Sequence, residues 1–211
     1  MARLLIASRN RKKLSELHRV LDGAGITGLE LLTLDDVPPF TEAPETGASF
    51  EENAIAKARD AFAANGIAAL ADDSGIAVAA LNGMPGVLSA RWSGGYGDSD
   101  KDVANYSLLL AQMVDVPDER RGAAFVSVCA LVTGPGADDL TVVRGEWPGV
   151  IAREPLGDGG FGYDPVFIPD GAGPTNGRSA AQLSAAEKDA VSHRGRALAK
   201  LVPVLRELAT G

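Results

Sequence analysis

Strand-length apolar runs and amphipathic helical stretches alternate over the first 80 residues, and the pattern then changes to long paired strands. "RLLIAS" (3–8) reads as a buried strand. A helix follows from about Arg11, with Leu14, Leu17 and Leu21 at helical spacing on one face. "LELLTL" (29–34) is a second strand, and 35–49 is a loop rich in Pro, Thr and acids. A second helix opens at Ser49, with Glu52 three positions on as a capping box, and stops at Asn65-Gly66. Residues 99–114 read as helix, and "GAAFVSVCALVTG" and "DLTVVRGEW" as antiparallel strands joined at Gly134-Pro135-Gly136. Strand–helix alternation followed by a hairpin specifies an α/β fold, a mixed β-sheet flanked by helices. With 211 residues and neither a repeat nor a linker, the chain is expected to form a single domain over 1–211.

The sheet carries an anomaly at "LADDSGIAV" (70–78), where Asp72 and Asp73 stand between two apolar runs. Burying a carboxylate without a partner costs several kcal/mol, on the order of 2–7, so the pair needs partners. The expected arrangement ends one strand at the acids and turns the chain at Ser74-Gly75. Successive strand residues point to opposite faces, so one acid faces a cleft and the other supports it. Glu42 and Glu45 come close if the 35–49 loop folds over the same edge. Such hard oxygen donors suit Mg²⁺, which needs one or two carboxylates plus substrate phosphates. On the second helix Asn53 and Lys57 lie one turn apart and share a side.

Three further stretches carry chemistry. In "ASRNRKK" (7–13) a strand runs into a helix whose first turn is basic, although acids are favoured there, which makes a phosphate cradle. Asn10 and Lys13 are its leading positions. "GDGGFGYDP" (157–165) offers glycines for close backbone approach and Phe161 or Tyr163 for stacking on a base. In "SAAEKDAVSHRGRAL", Ser184 and Glu187 form a capping box and Ser192 caps a second helix. His193 and Arg194 are then cations in a first turn that needs a partner elsewhere. Both are hydrogen-bond donors, which satisfy a purine O6 but not the N6 amino group of adenine.

Composition excludes other classes. The net charge of −8 argues against a nucleic-acid-binding surface. No run approaches the ~18–20 apolar residues of a membrane helix. The N-terminus has its charges after the apolar run and makes a poor signal peptide. Cys129, the one cysteine, reads as a small buried hydrophobe, and a reducing cytoplasm is the expected setting.

With these motifs in this order ("SRNRKK", "ETGASFEENAIAKA", "ADDSG", "MPGVLSARWSG", "WPGVI", "GGFGYDP", "EKDAVSHRGRAL"), the chain resembles the inosine triphosphate pyrophosphatase family over nearly its full length. The resemblance implies hydrolysis of ITP, dITP and XTP to the monophosphate and pyrophosphate with Mg²⁺. It also implies a homodimer of elongated mixed sheets, each with two lobes and the active-site cleft between them. Carried over by motif, Ser8, Arg9, Asn10, Arg11, Lys12 and Lys13 would hold the triphosphate with Lys57. Glu45 and Asp73 would hold the metal, with Asp72 close by. Asp73 would also orient the attacking water, and Ser74 would contact substrate. Phe161, Gly162, Tyr163, Asp164, Lys188, His193 and Arg194 would receive the nucleoside. Two departures stand out: Arg9 occupies a position usually held by glycine, and Arg178 and Gln182 stand where Lys and Glu are common.

Overall fold

The structure is a computed structural model. It describes residues 1–9, 11–42, 44–94, 100–171 and 176–210, with the side chains of residues 11–13 and 189 outside the description. Six strands form one mixed sheet in the order β2-β1-β3-β4-β5-β6. They are β1 (Ala2–Ile6), β2 (Leu29–Thr33), β3 (Ala68–Val78), β4 (Gly122–Val132), β5 (Leu140–Ile151) and β6 (Phe167–Pro169). The strands β1 and β2 pair in parallel, as do β1 and β3, while β5 and β6 are antiparallel. Among the described residues the α-helices are α1 (Arg11–Gly23), α2 (Phe50–Asn65), α3 (Lys101–Gln112), α4 (Ala185–Val191) and α5 (His193–Thr210). Among the described residues, no helix is long and apolar enough to cross a membrane.

The chain divides into two compact units. The first comprises Met1–Asp73, Ser127–Gly145 and Arg194–Gly211. Strand alternation sorts its core into two faces. Leu4, Ile6 and Leu70 pack with Leu17 and Leu21 of α1 and Ala197, Leu201 and Leu205 of α5. Leu5 and Ala69 point the other way, toward Ala61 of α2 and Leu32. Each fully buried Leu contributes about 1.5–3 kcal/mol. Cys129 is 1% exposed within the first face, a packing residue as its sequence context indicated. The helix α5 continues through Pro203 to Thr210.

The second unit comprises Ser74–Val126 and Glu146–His193. Its core gathers Ile76, Val78, Leu109, Met113, Phe125, Trp147, Tyr163 and Phe167. Arg121 is buried there and donates to the carbonyls of Met113, Ile151 and Ala152, tying the segment after α3 to the end of β5.

One expectation is corrected. The acids do not end a strand, and Ser74-Gly75 is not a turn: β3 runs unbroken for 11 residues from Ala68 to Val78. Gly75 is glycine for a steric reason. A Cβ at this position would run into the Ser89 hydroxyl and the Gly86 carbonyl. The Ser89 hydroxyl in turn accepts from the Ile76 amide at 2.9 Å, which holds 86–91 against the strand.

Candidate active site

In the first unit, the acid pair meets two helices because β3 alternates. Asp73 shares the parity of Ala69 and faces α2; Asp72 shares the parity of Leu70 and faces α5. The helix α2 is well specified: the Ser49 hydroxyl accepts from the Glu52 amide, and Gly66 closes the helix in the left-handed region at φ 65°. The Glu52 carboxylate reaches back to the Ala48 amide, one residue earlier than a reciprocal box requires.

On that helix Asn53 is 2% exposed, although it is polar. Its amide nitrogen donates to Asp73 Oδ2 at 3.0 Å, while its oxygen accepts from the Gly47 amide at 2.8 Å. One turn on, Lys57 Nζ lies 2.9 Å from Glu45 Oε1, 2.7 Å from the Asp72 carbonyl oxygen and 3.5 Å from Asp73 Oδ1. Burial alone would lower the Lys57 pKa, but the charges of Asp73 and Glu45 outweigh it and raise it above the ordinary 10.5. Lys57 is therefore a fixed cation, and the acidic loop is brought to it through Glu45. Glu42, the other loop acid, pairs instead with Arg9 at 2.6 Å on an exposed surface. Asn10 and the side chains of Arg11, Lys12 and Lys13, expected in the phosphate cradle, lie outside the described residues. Ser8, two residues past the end of β1, and Ser74, within β3, are half-buried.

On the other face of β3, Arg194 is 4% exposed in the first turn of α5. Its Nη1 lies 2.6 Å from Glu16 Oε2 and its Nε 3.4 Å from Asp72 Oδ2. Burial works against this charge, yet Asp72 and Glu16 together raise the guanidinium above its usual value. These are the partners that a cation at a helix start requires. Glu16 was not among the sequence-derived candidates. The signal was an acid on the buried-side border of α1, one turn before Val20, but its partner lies 178 residues away.

In the second unit, the glycine-rich loop sorts its two aromatic rings. Tyr163 is 4% exposed and its hydroxyl donates to the Ser89 carbonyl at 2.8 Å. Burial, with a smaller contribution from the charge of Asp102, pushes its phenol well above the ordinary value. The Tyr163 ring is a core group, whereas the Phe161 ring is half-buried. Lys188 Nζ lies 5.0 Å over the Phe161 ring and is ion-paired to Asp164, which is 2% exposed. Asp164 also accepts from the Phe161 amide. His193, 7% exposed, stacks on Phe125 with centroids 5.0 Å apart and planes 13° apart. Phe125 in turn meets the edge of Phe167 at 4.6 Å, so the imidazole plane is fixed by packing.

Comparison with known proteins decides the family. The model of the Ham1 family matches residues 4–204. The chain belongs to the Ham1 family. It is 72% identical over 211 residues to the dITP/XTP pyrophosphatase of Mycobacterium tuberculosis (strain ATCC 25618 / H37Rv), covering 100% of this chain and 98% of that protein. The crystal structure of the nucleoside-triphosphatase / dITP/XTP pyrophosphatase of Mycobacterium abscessus matches with TM-score 0.78 and 62% identity, covering 97% of this chain and 100% of that one. A HAM1 protein of Coxiella burnetii matches with TM-score 0.83 and 40% identity, covering 98% and 100%. The mixed six-stranded sheet with flanking helices is thus the Ham1 fold.

Among the described residues, no three His, Cys, Asp or Glu side chains form a metal cluster by themselves. A site that binds Mg²⁺ together with substrate phosphates would need only one or two carboxylates. Glu45 and Asp73 supply two hard oxygen donors that converge on the Lys57 ammonium, so the donor set fits such an ion.

Proposed function

We propose that this protein hydrolyses the deaminated purine nucleoside triphosphates ITP, dITP and XTP to the monophosphate and pyrophosphate, and so cleanses the nucleotide pool. The observation that carries this reading is the Lys57–Asp73–Asn53 node, where a fixed cation and an oriented, nearly buried carboxylate meet. The names of the Mycobacterium tuberculosis and Mycobacterium abscessus proteins support it.

In this mechanism Asn53 orients the Asp73 carboxylate through Oδ2, and Oδ1, on the Lys57 side, directs the water that attacks the α-phosphorus. Lys57, with Ser8, Arg9, Asn10, Arg11, Lys12 and Lys13, balances the charge of the triphosphate and of the leaving pyrophosphate. Glu45 and Asp73, with Asp72 nearby, would hold Mg²⁺, which when bound polarises the phosphoryl oxygens. Ser74 contacts the substrate. Phe161 stacks on the purine, with Gly162, Tyr163, Asp164 and Lys188 keeping that loop in place. His193 and Arg194 donate toward O6, and adenine, with an amino group there, leaves these donors opposed. We read residues 1–211 as one catalytic domain that acts in the cytoplasm as a homodimer, without a nucleic-acid or membrane partner.

Initial rates for ITP, dITP, XTP, GTP, ATP and dUTP test the substrate class. Fast turnover of ITP, dITP and XTP with slow turnover of ATP and dUTP is expected. Equal rates for ATP and ITP would remove the case for base selection by His193 and Arg194.

A further inference from the structure

Phe161 is presented by two consecutive backbone amides, each held by a different carboxylate. The Phe161 N–H donates to Asp164 Oδ2 at 2.8 Å, and the Gly162 N–H donates to Asp102 Oδ2 at 2.6 Å. Asp164 is local to the loop, but Asp102 comes from the first turn of α3, 60 residues earlier in the chain. The loop needs such anchors because both neighbours of Phe161, Gly160 at φ 75° and Gly162 at φ 62°, are in the left-handed region. Without tethers, glycines there leave the backbone many alternatives.

The platform that carries Asp102 is itself fixed. Its N–H is capped by Asp100 Oδ1 at 2.9 Å. Asn105, 2% exposed, accepts from the Ser93 amide at 2.8 Å, and Leu109 is fully buried in the core. An acid in a first helical turn is favoured by the helix dipole alone. That preference does not account for a charge-assisted hydrogen bond to a distant loop amide. Lys188 Nζ also lies 5.0 Å over the Phe161 ring, so the loop carries its cation as well as its carboxylates.

We infer that Asp102 is a positioning residue for nucleoside recognition: through the Gly162 amide it sets where the Phe161 ring stands. The inference rests on the proposed stacking of Phe161 on the purine. It assigns Asp102 no contact with the substrate and no part in the chemistry.

The test compares Asp102→Ala, Asp102→Asn and Phe161→Ala for ITP hydrolysis, with inorganic tripolyphosphate as a competitive inhibitor that lacks a base. Asp102→Ala is expected to raise KM for ITP about tenfold, the effect of one charge-assisted hydrogen bond, while kcat and tripolyphosphate inhibition stay near wild type. Asp102→Asn keeps an oxygen acceptor and is expected to restore most of the affinity. A wild-type KM in Asp102→Ala alongside a raised KM in Phe161→Ala overturns the role of Asp102 and leaves the stacking reading standing. An unchanged KM in Phe161→Ala overturns the stacking reading and this inference with it. Asp102→Ser, a side chain too short to reach Gly162 and well tolerated in a first helical turn, serves with the same outcomes should the alanine variant not fold.

Discussion

Asp72 and Asp73 are adjacent in the chain but serve opposite faces of β3: Asp73 Oδ2 accepts from Asn53 of α2 at 3.0 Å, and Asp72 Oδ2 lies 3.4 Å from Arg194 of α5. The two neutral variants therefore separate kinetically. Asp72→Asn weakens the hold on Arg194 while Glu16 keeps the guanidinium paired, so the protein stays folded. Its ITP-to-ATP preference is expected to fall about tenfold, chiefly through KM. Steady-state kinetics with both nucleotides checks this.

Asn53 joins three elements through one buried amide: the 35–49 loop at Gly47, the helix α2 and the acid of β3. Asn53→Leu leaves the Gly47 amide without its acceptor and removes a donor from Asp73. A loss of about 1–3 kcal/mol of stability is expected, together with a lower kcat. Thermal or urea unfolding beside a rate measurement reads both effects.

Gly75 offers a purely steric test. Gly75→Ala places a methyl against the Ser89 hydroxyl and the Gly86 carbonyl. Overpacking of this kind costs about 1–3 kcal/mol. The variant is expected to unfold at lower denaturant concentration, and Gly75→Ala combined with Ser89→Ala to recover part of the loss.

Local signals made much of this legible in the sequence. The N-cap Ser49 and the stop at Gly66 bounded α2, and helical spacing put Asn53 and Lys57 on one side, where both meet Asp73. Cations at the start of α5 implied a partner, and Arg194 meets Glu16 and Asp72. The misread element was β3. Two acids followed by Ser-Gly carry turn chemistry locally, while the partners that let the strand continue through them lie on α2 and on α5, the latter 122 residues away. Glu16 and Asp102 were missed for the same reason: their sequence neighbourhoods are ordinary, and their partners are 178 and 60 residues distant.

Arg178, at one of the positions that departs from the family pattern, has a pH signature. It pairs with Glu187 at 2.7 Å, and this bond, with the Ser184 amide and hydroxyl, lowers the Glu187 pKa from 4.5 to about 2. A depressed carboxylate contributes stability above its unfolded pKa and loses it as pH falls through its folded value. The stability difference between wild type and Arg178→Ala is therefore expected to be constant above about pH 5 and to shrink as pH falls from 4.5 to about 2. Unfolding curves for the two proteins across that window check the sign.

The proposed mechanism turns on Asp73, oriented by Asn53 and facing Lys57, as the group that directs attack on the α-phosphorus. Pyrophosphate release from ITP by Asp73→Asn, measured with Mg²⁺ beside ITP binding by the same variant, tests it most directly. Retained ITP binding with kcat lower by about 10²–10⁴-fold is expected. Full activity in Asp73→Asn would contradict it.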